Sequence, residues 1–209
     1  GLINERKNRL HEVVRLSGLN ITIDDDDKPL IIKVASIPSA KLQVYFIDNE
    51  DYFKRKTVFN NKAGKFHKDN DERCLFFCKG VLETVIKLGW SPDIIHCNDW
   101  MSSLIPLLTK TSYSDRHIFE NTKCIFSIYE NSFKEKLDKK MIDKFVDEDI
   151  DKDMLSSLKS NDYSGLIKIA SEYSDTIIRP DKDLNKTLEE SISSISPKNK
   201  VHKIPENEK

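Results

Sequence analysis

Apolar residues follow two different rhythms along this chain, and the change comes near residue 69. Before it they alternate or cluster in short β-type runs. His11, Val13, Val14 and Leu16 are followed by Leu19, Ile21 and Ile23, and the pattern turns over at Ser17-Gly18, which predicts a hairpin there. Asp24 to Asp27 with Lys28 and Pro29 read as a solvated turn, and Leu30 to Ile37 and Leu42 to Ile47 as the next two strands, parted by Pro38-Ser39-Ala40. From Asp69 the spacing becomes helical. DNDER supplies capping side chains and early acids, Leu75, Cys78, Val81, Leu82, Val85 and Ile86 recur on one face, and Gly89 is the stop.

The remainder alternates. A buried strand over 93–97 leads into a helix over 99–110, which Pro106 should kink or divide; a second buried strand covers 123–129. Segments 134–145 and 153–158 are charged enough to form short surface helices. Tyr163 to Tyr173 carries an apolar stripe, and 175–178 is a last short strand. A strand-rich first half followed by helix–strand repeats predicts an α/β protein, a Rossmann-like doubly wound sheet of parallel strands. Residues 183–195 suit one helix, and beyond Pro197 a mobile tail is expected.

In such sheets ligands bind in the crevice at the carboxyl ends of the strands. Asn98, Asp99 and Trp100 follow the 93–97 strand directly, and Tyr129 and Glu130 end the next one, so these residues are the leading site candidates. Each has a plain structural reading beside it. Asp99 can cap the following helix or accept hydrogen bonds from sugar hydroxyls. Trp100 can be core or can stack on the apolar face of a sugar. His96, inside the strand, fits an interior histidine better than a catalyst. Asp48 also ends a strand, and the nearby rings Tyr45, Phe46, Tyr52, Phe53 and Phe59 are either core or the wall of a carbohydrate path.

Composition narrows the classes. At 209 residues the chain suits one domain of about 100–200 residues better than two. A net charge of −1 with 33% charged residues leaves no basic face for nucleic acid, and no run of about 18 apolar residues points to a membrane. Cys74, Cys78, Cys97 and Cys124 form no CxxC pair and read as buried thiols of a cytoplasmic protein, with a metal site at Cys74 and Cys78 as the sharper alternative. No glycine-rich nucleotide fingerprint, P-loop, GxSxG or HExxH is present. The first residue is Gly1, which suggests a fragment.

The ordered motifs LQVYFIDNEDYFKRK, DNDERCLFF, PDIIHCNDWMSSLIPLLTK, KCIFSIY and YSDTII resemble the amino-terminal domain of bacterial glycogen (starch) synthases, above all the short glycogen-synthase-like proteins of Bacteroidetes-type bacteria. The resemblance spans residues 1–178, with 179–209 as a charged helical segment and tail. It implies one half of a GT-B glycosyltransferase, with the family's first strand and glycine-rich loop lying before residue 1. It also implies glucose transfer from ADP-glucose to an α-1,4-glucan with retention and without a metal or other cofactor. The acceptor glucan would be a partner, as would ADP-glucose if a second domain is supplied. Asp99 and Trp100 match the family's Asp-Trp pair; Asp69, Asn70, Glu72 and Arg73 match its DNxER segment; Phe59 falls near a glucan-contacting tyrosine. Substrate contacts are thus expected from Asp99, Trp100, Asn98, Tyr129, Asn70 and Phe59. The family usually reads HxHDWH and ends the next strand TVHN. Here Asn98, Met101 and Tyr129 stand where histidines would be. The alternative is a stand-alone, non-catalytic glucan-binding or regulatory module.

Overall fold

The computed structural model describes residues 14–129, 133–145, 150–180, 186–193 and 200–203. In chain order these form β1 (Val14–Ile23), β2 (Asp26–Ile37), β3 (Leu42–Asp48), α1 (Glu50–Phe53), α2 (Asn70–Leu88), β4 (Ile94–Asn98), α3 (Ile105–Lys110), β5 (Lys123–Ser127), α4 (Met141–Phe145), α5 (Tyr163–Tyr173), β6 (Thr176–Arg179), α6 (Lys186–Ser193) and β7 (Lys200–Lys203). β1, β2 and β3 make an antiparallel meander, and β4, β5, β6 and β7 a parallel sheet in that spatial order. The α/β class and the strand-rich first half are therefore as the sequence predicts. Among the described residues the parallel strands run in sequence order without the reversal that a doubly wound sheet contains.

The hairpin expected at Ser17-Gly18 is instead a bulge. β1 continues through it, its register against β2 slips between Leu16 and Leu19, and Gly18 takes φ 92°, which only glycine adopts without strain. The chain reverses at Asp24 and Asp25, with φ 51° and 60°, a two-residue turn of the kind that suits the twist of a hairpin. The predicted turn was too long, because Asp26 and Asp27 already belong to β2.

α2 joins the two halves. Its buried residues Cys74, Leu75, Phe76, Cys78 and Leu82 are fully enclosed. Gly80 lets the helix ride close on the meander: a Cβ there would lie 2.8 Å from Ile47 Cγ2 and 3.3 Å from Leu30 Cδ1. Gly89, at φ 66°, ends the helix, and the N–H of Trp90 closes back to Val85 O at 3.2 Å. At the other end the expected side-chain cap is absent. Asp69 spends its carboxylate on Arg55, and an ion pair with two parallel hydrogen bonds outweighs a single capping bond.

The helix predicted over 99–110 is divided, as Pro106 required. Trp100–Ser102 is a 3₁₀ turn and α3 begins at Ile105, with the proline in its first turn, where a missing N–H matters least. α5 begins at the Asp162 cap, whose carboxylate accepts the Gly165 N–H at 3.0 Å. Further expectations fail. Segment 134–145 is not a surface helix: only Met141–Phe145 is helical, with Met141 and Phe145 buried and the Lys144 side chain 8% exposed. The tail beyond Pro197 also contributes Lys200–Lys203, which extends the sheet by pairing with β6.

Candidate functional site

The carboxyl ends of β4 and β5 lie side by side, with Asn98 in register with Ser127. The chain leaves β4 through Asp99, whose backbone sits at φ 61°, ψ 176°, a region almost confined to glycine. Local hydrogen bonds hold that conformation. Asp99 N–H donates to Ser127 O at 3.2 Å, its carboxylate accepts the Trp100 N–H at 2.8 Å, and Ser102 Oγ donates to the carbonyls of Asn98 and Asp99, both at 2.9 Å. The capping reading of Asp99 is thus correct, and the residue stays partly open to solvent.

Beside it, Tyr129 Oη donates to Asn98 Oδ1 at 3.2 Å, and Tyr163 Oη fixes the Tyr129 carbonyl at 2.7 Å. The two strand ends expected to share a crevice therefore do so. Glu130 lies outside the described residues. His96 is exposed rather than interior, with Nε2 2.7 Å from the buried Ser127 Oγ, because β4 is the edge strand of the described sheet.

Trp100 is only 1% exposed and packs against Phe59 at 4.8 Å, Phe133 at 5.1 Å and Phe66 at 6.3 Å between ring centres. It is no open platform for a sugar; it is the inner wall of a cavity of about 310 Å³, lined also by Phe59, Asn60, Phe66, Phe133, Lys134 and Glu135. Phe59, half-buried, shares that wall as the sequence suggested. Asn70 does not. It is fully buried, its amide donates to Phe59 O at 3.0 Å and its Oδ1 accepts from Arg73, so it anchors the Phe59 loop and has no reach to a ligand. Phe66 and Phe133 escaped the sequence reading. Each is an isolated ring in a polar segment, and only their meeting at 4.8 Å reveals a shared wall.

The thiols belong to the scaffold. Cys74 and Cys78 Sγ lie 3.5 and 3.3 Å from the carbonyls of Trp100 and Met101, which ties α2 to the turn after Asp99. Burial pushes the Cys78, Cys97 and Cys124 thiols above the usual range, as expected of inert packing groups. Asp48, at the end of β3, is paired with Lys33 at 2.8 Å. A carboxylate on a strained turn, an amide–phenol pair and an aromatic-walled cavity together suit a ligand with many hydroxyls and apolar faces.

The sequence matches the family of the starch synthase catalytic domain over residues 1–188. The chain belongs to that family. The glycogen synthase of Chlorobium chlorochromatii (strain CaD3) is 48% identical over 136 residues, which cover 65% of this chain and 28% of the relative. That of Chlorobaculum parvum (strain DSM 263 / NCIMB 8327) is 42% identical over 145 residues, 67% of this chain and 30% of the relative. The chain thus spans less than a third of the length of these relatives. The catalytic domain of starch synthase IV from Arabidopsis thaliana, solved with ADP and acarbose bound, matches with a TM-score of 0.66 at 18% identity over 92% of this chain and 41% of that one. That likeness establishes the fold, one half of the GT-B architecture; the family match and the relatives bear out the resemblance read from the motifs.

Proposed function

We propose that this domain is the acceptor side of a glucosyltransferase that moves glucose from ADP-glucose to the end of an α-1,4-glucan with retention, in the cytoplasm and without a metal. Asp99 is the observation that carries the reading. Strain at a non-glycine residue is retained where function needs the side chain in one place, and here it sets a carboxylate at the carboxyl end of a parallel strand beside Asn98 and Tyr129. The carboxylate accepts glucan hydroxyls, and the ring cluster around Trp100 excludes water on one side. Retaining transfer runs through an oxocarbenium-like centre, and the departing diphosphate calls for cationic groups. The donor side is assigned to a second domain.

Isothermal titration with maltoheptaose tests the reading. The wild-type chain should bind and Asp99→Ala should bind at least tenfold more weakly with an unchanged circular dichroism spectrum; equal affinities would remove Asp99 from the site. In the full-length protein the same substitution should abolish transfer from ADP-glucose. A second reading, a non-catalytic glucan-binding module, is favoured by the Tyr129–Asn98 hydrogen bond, which joins a phenol to an amide at positions where the family carries histidines. Maltoheptaose binding by a full-length protein that transfers no glucose would select it.

A further inference from the structure

The start of α5 is held from several sides. Its cap Asp162 also takes Lys136 Nζ at 2.6 Å. A Cβ on Gly165 would lie 2.5 Å from Ser157 O and from Ser160 Oγ, so the first helical turn rests directly on the 3₁₀ turn Ser156–Ser160. The same place fastens the segment after Phe133: Lys136 Nζ donates to Ser160 O at 2.9 Å and Leu137 N–H to Asn161 O at 2.7 Å. A helix start anchored in this way carries a side chain with more precision than a loop does.

The side chain it carries is Tyr163, the first residue of α5 and 3% exposed. β5 ends at Ser127, and Ile128 N–H still reaches Ile178 O at 3.0 Å. One residue later it is the Tyr163 hydroxyl, not a strand, that binds the Tyr129 carbonyl at 2.7 Å. The Tyr163 ring meets Phe133 edge-on, 5.6 Å between centres and at 86°, and Phe133 in turn stands edge-on to Trp100. One buried side chain thus touches the polar crevice with its hydroxyl and the cavity wall with its ring.

We propose that Tyr163 is a positioning residue for the site. Its hydroxyl fixes the Tyr129 backbone so that the Tyr129 phenol reaches Asn98, and its ring backs Phe133 so that the wall stands against Trp100. On the glucan reading above, crevice and cavity then bind one run of sugars as a unit. The Tyr129–Asn98 bond, at 3.2 Å, is already at the long end for an O–H donor, so a small shift of the Tyr129 backbone breaks it.

Tyr163→Phe is the test, because it removes the hydroxyl and keeps the ring. In amide-proton NMR spectra without glucan, the Asn98 side-chain signals, assigned through Asn98→Asp, should move to where Tyr129→Phe puts them. The Trp100 indole signal should stay in place. By calorimetry maltoheptaose should bind about fivefold more weakly, the worth of one hydrogen bond. Added to Tyr129→Phe, the same substitution should cost nothing further, because both break one contact. Tyr163→Leu, which lacks the ring as well, should also shift the Trp100 indole; should it not fold, Tyr163→Phe still decides. Asn98 signals unmoved in Tyr163→Phe, a Trp100 indole unmoved in a folded Tyr163→Leu, or losses of affinity that add in the double variant would overturn the proposal. A wild-type chain that binds no maltoheptaose would sink the glucan reading alone, and the Asn98 signals would still judge Tyr163.

Discussion

Two polar clusters stand on opposite sides of the same physical rule. At the start of α2, Asp71 is fully buried and holds Lys144 Nζ at 2.9 Å, while Glu72 takes the same ammonium at 2.7 Å and the Tyr52 hydroxyl at 2.9 Å. At the end of β4, Asn98 and Asp99 meet solvent, and the polar contacts are single bonds around a strained backbone. In the first cluster one ammonium is shared by two carboxylates and fastens α4 to α2 across about seventy residues of sequence. In the second, the cap on Trp100 N–H and the bond to Ser127 O hold an aspartate at φ 61° that still meets solvent, so its cost points to a ligand. Buried and cross-linked polar groups are architecture; a strained and accessible one is a site.

The largest test of that contrast is Lys144→Met. It leaves Asp71 buried without its cation and should cost about 3–5 kcal/mol in urea unfolding; a loss below about 1 kcal/mol would put the cluster with ordinary surface pairs. The pH dependence carries a sign. Burial opposes the Lys144 charge, but hydrogen bonds to Glu72 and Asp71 outweigh it and raise the pKa above the ordinary 10.5. The stabilisation is therefore complete below 10.5 and is lost as pH climbs through the folded value, so Lys144→Met should flatten the alkaline fall in stability. Asp71 shifts the other way from the usual salt-bridged acid. Burial raises its pKa against the pull of Lys144, so its own contribution does not add to acid lability.

A smaller effect sharpens the other side. Asp99→Gly removes the backbone strain and should raise stability by about 1 kcal/mol while weakening maltoheptaose binding. A destabilised Asp99→Gly variant would show that the conformation is not strained. Smallest is Tyr129→Phe. It deletes one exposed hydrogen bond to Asn98 and should change unfolding by less than about 0.5 kcal/mol while lowering maltoheptaose affinity a few-fold. Unaltered affinity would place Tyr129 outside the glucan path.

Much of the fold is legible locally. The α5 boundaries Tyr163–Tyr173, the Gly89 stop and the division at Pro106 follow from apolar spacing, a left-handed glycine and a missing N–H. The errors share a cause. Gly18 signals a positive φ, and spacing alone does not say whether that serves a turn or a bulge; the pairing partner decides. Asp69 has the chemistry of a cap, yet Arg55 competes for it from another segment. Lys144 looks like one more surface lysine until α4 folds over Asp71 and Glu72.

The site divides in the same way. By itself the sequence determined that Asn98, Asp99 and Trp100 follow a strand at the crevice edge, and its ordered motifs determined the family, because strand, turn and helix signals act between near neighbours. Only the tertiary structure decided that Trp100 is a wall, that Asn70 is spent on Phe59 and Arg73, and that Phe66 and Phe133 complete the cavity. It also decided which charged groups find partners: Lys144 is held by two carboxylates, while Arg73 Nε has no hydrogen-bond partner among the described residues. Burial and ion pairing depend on distances between segments far apart in the chain, and those distances exist only once the two sheets have packed on α2.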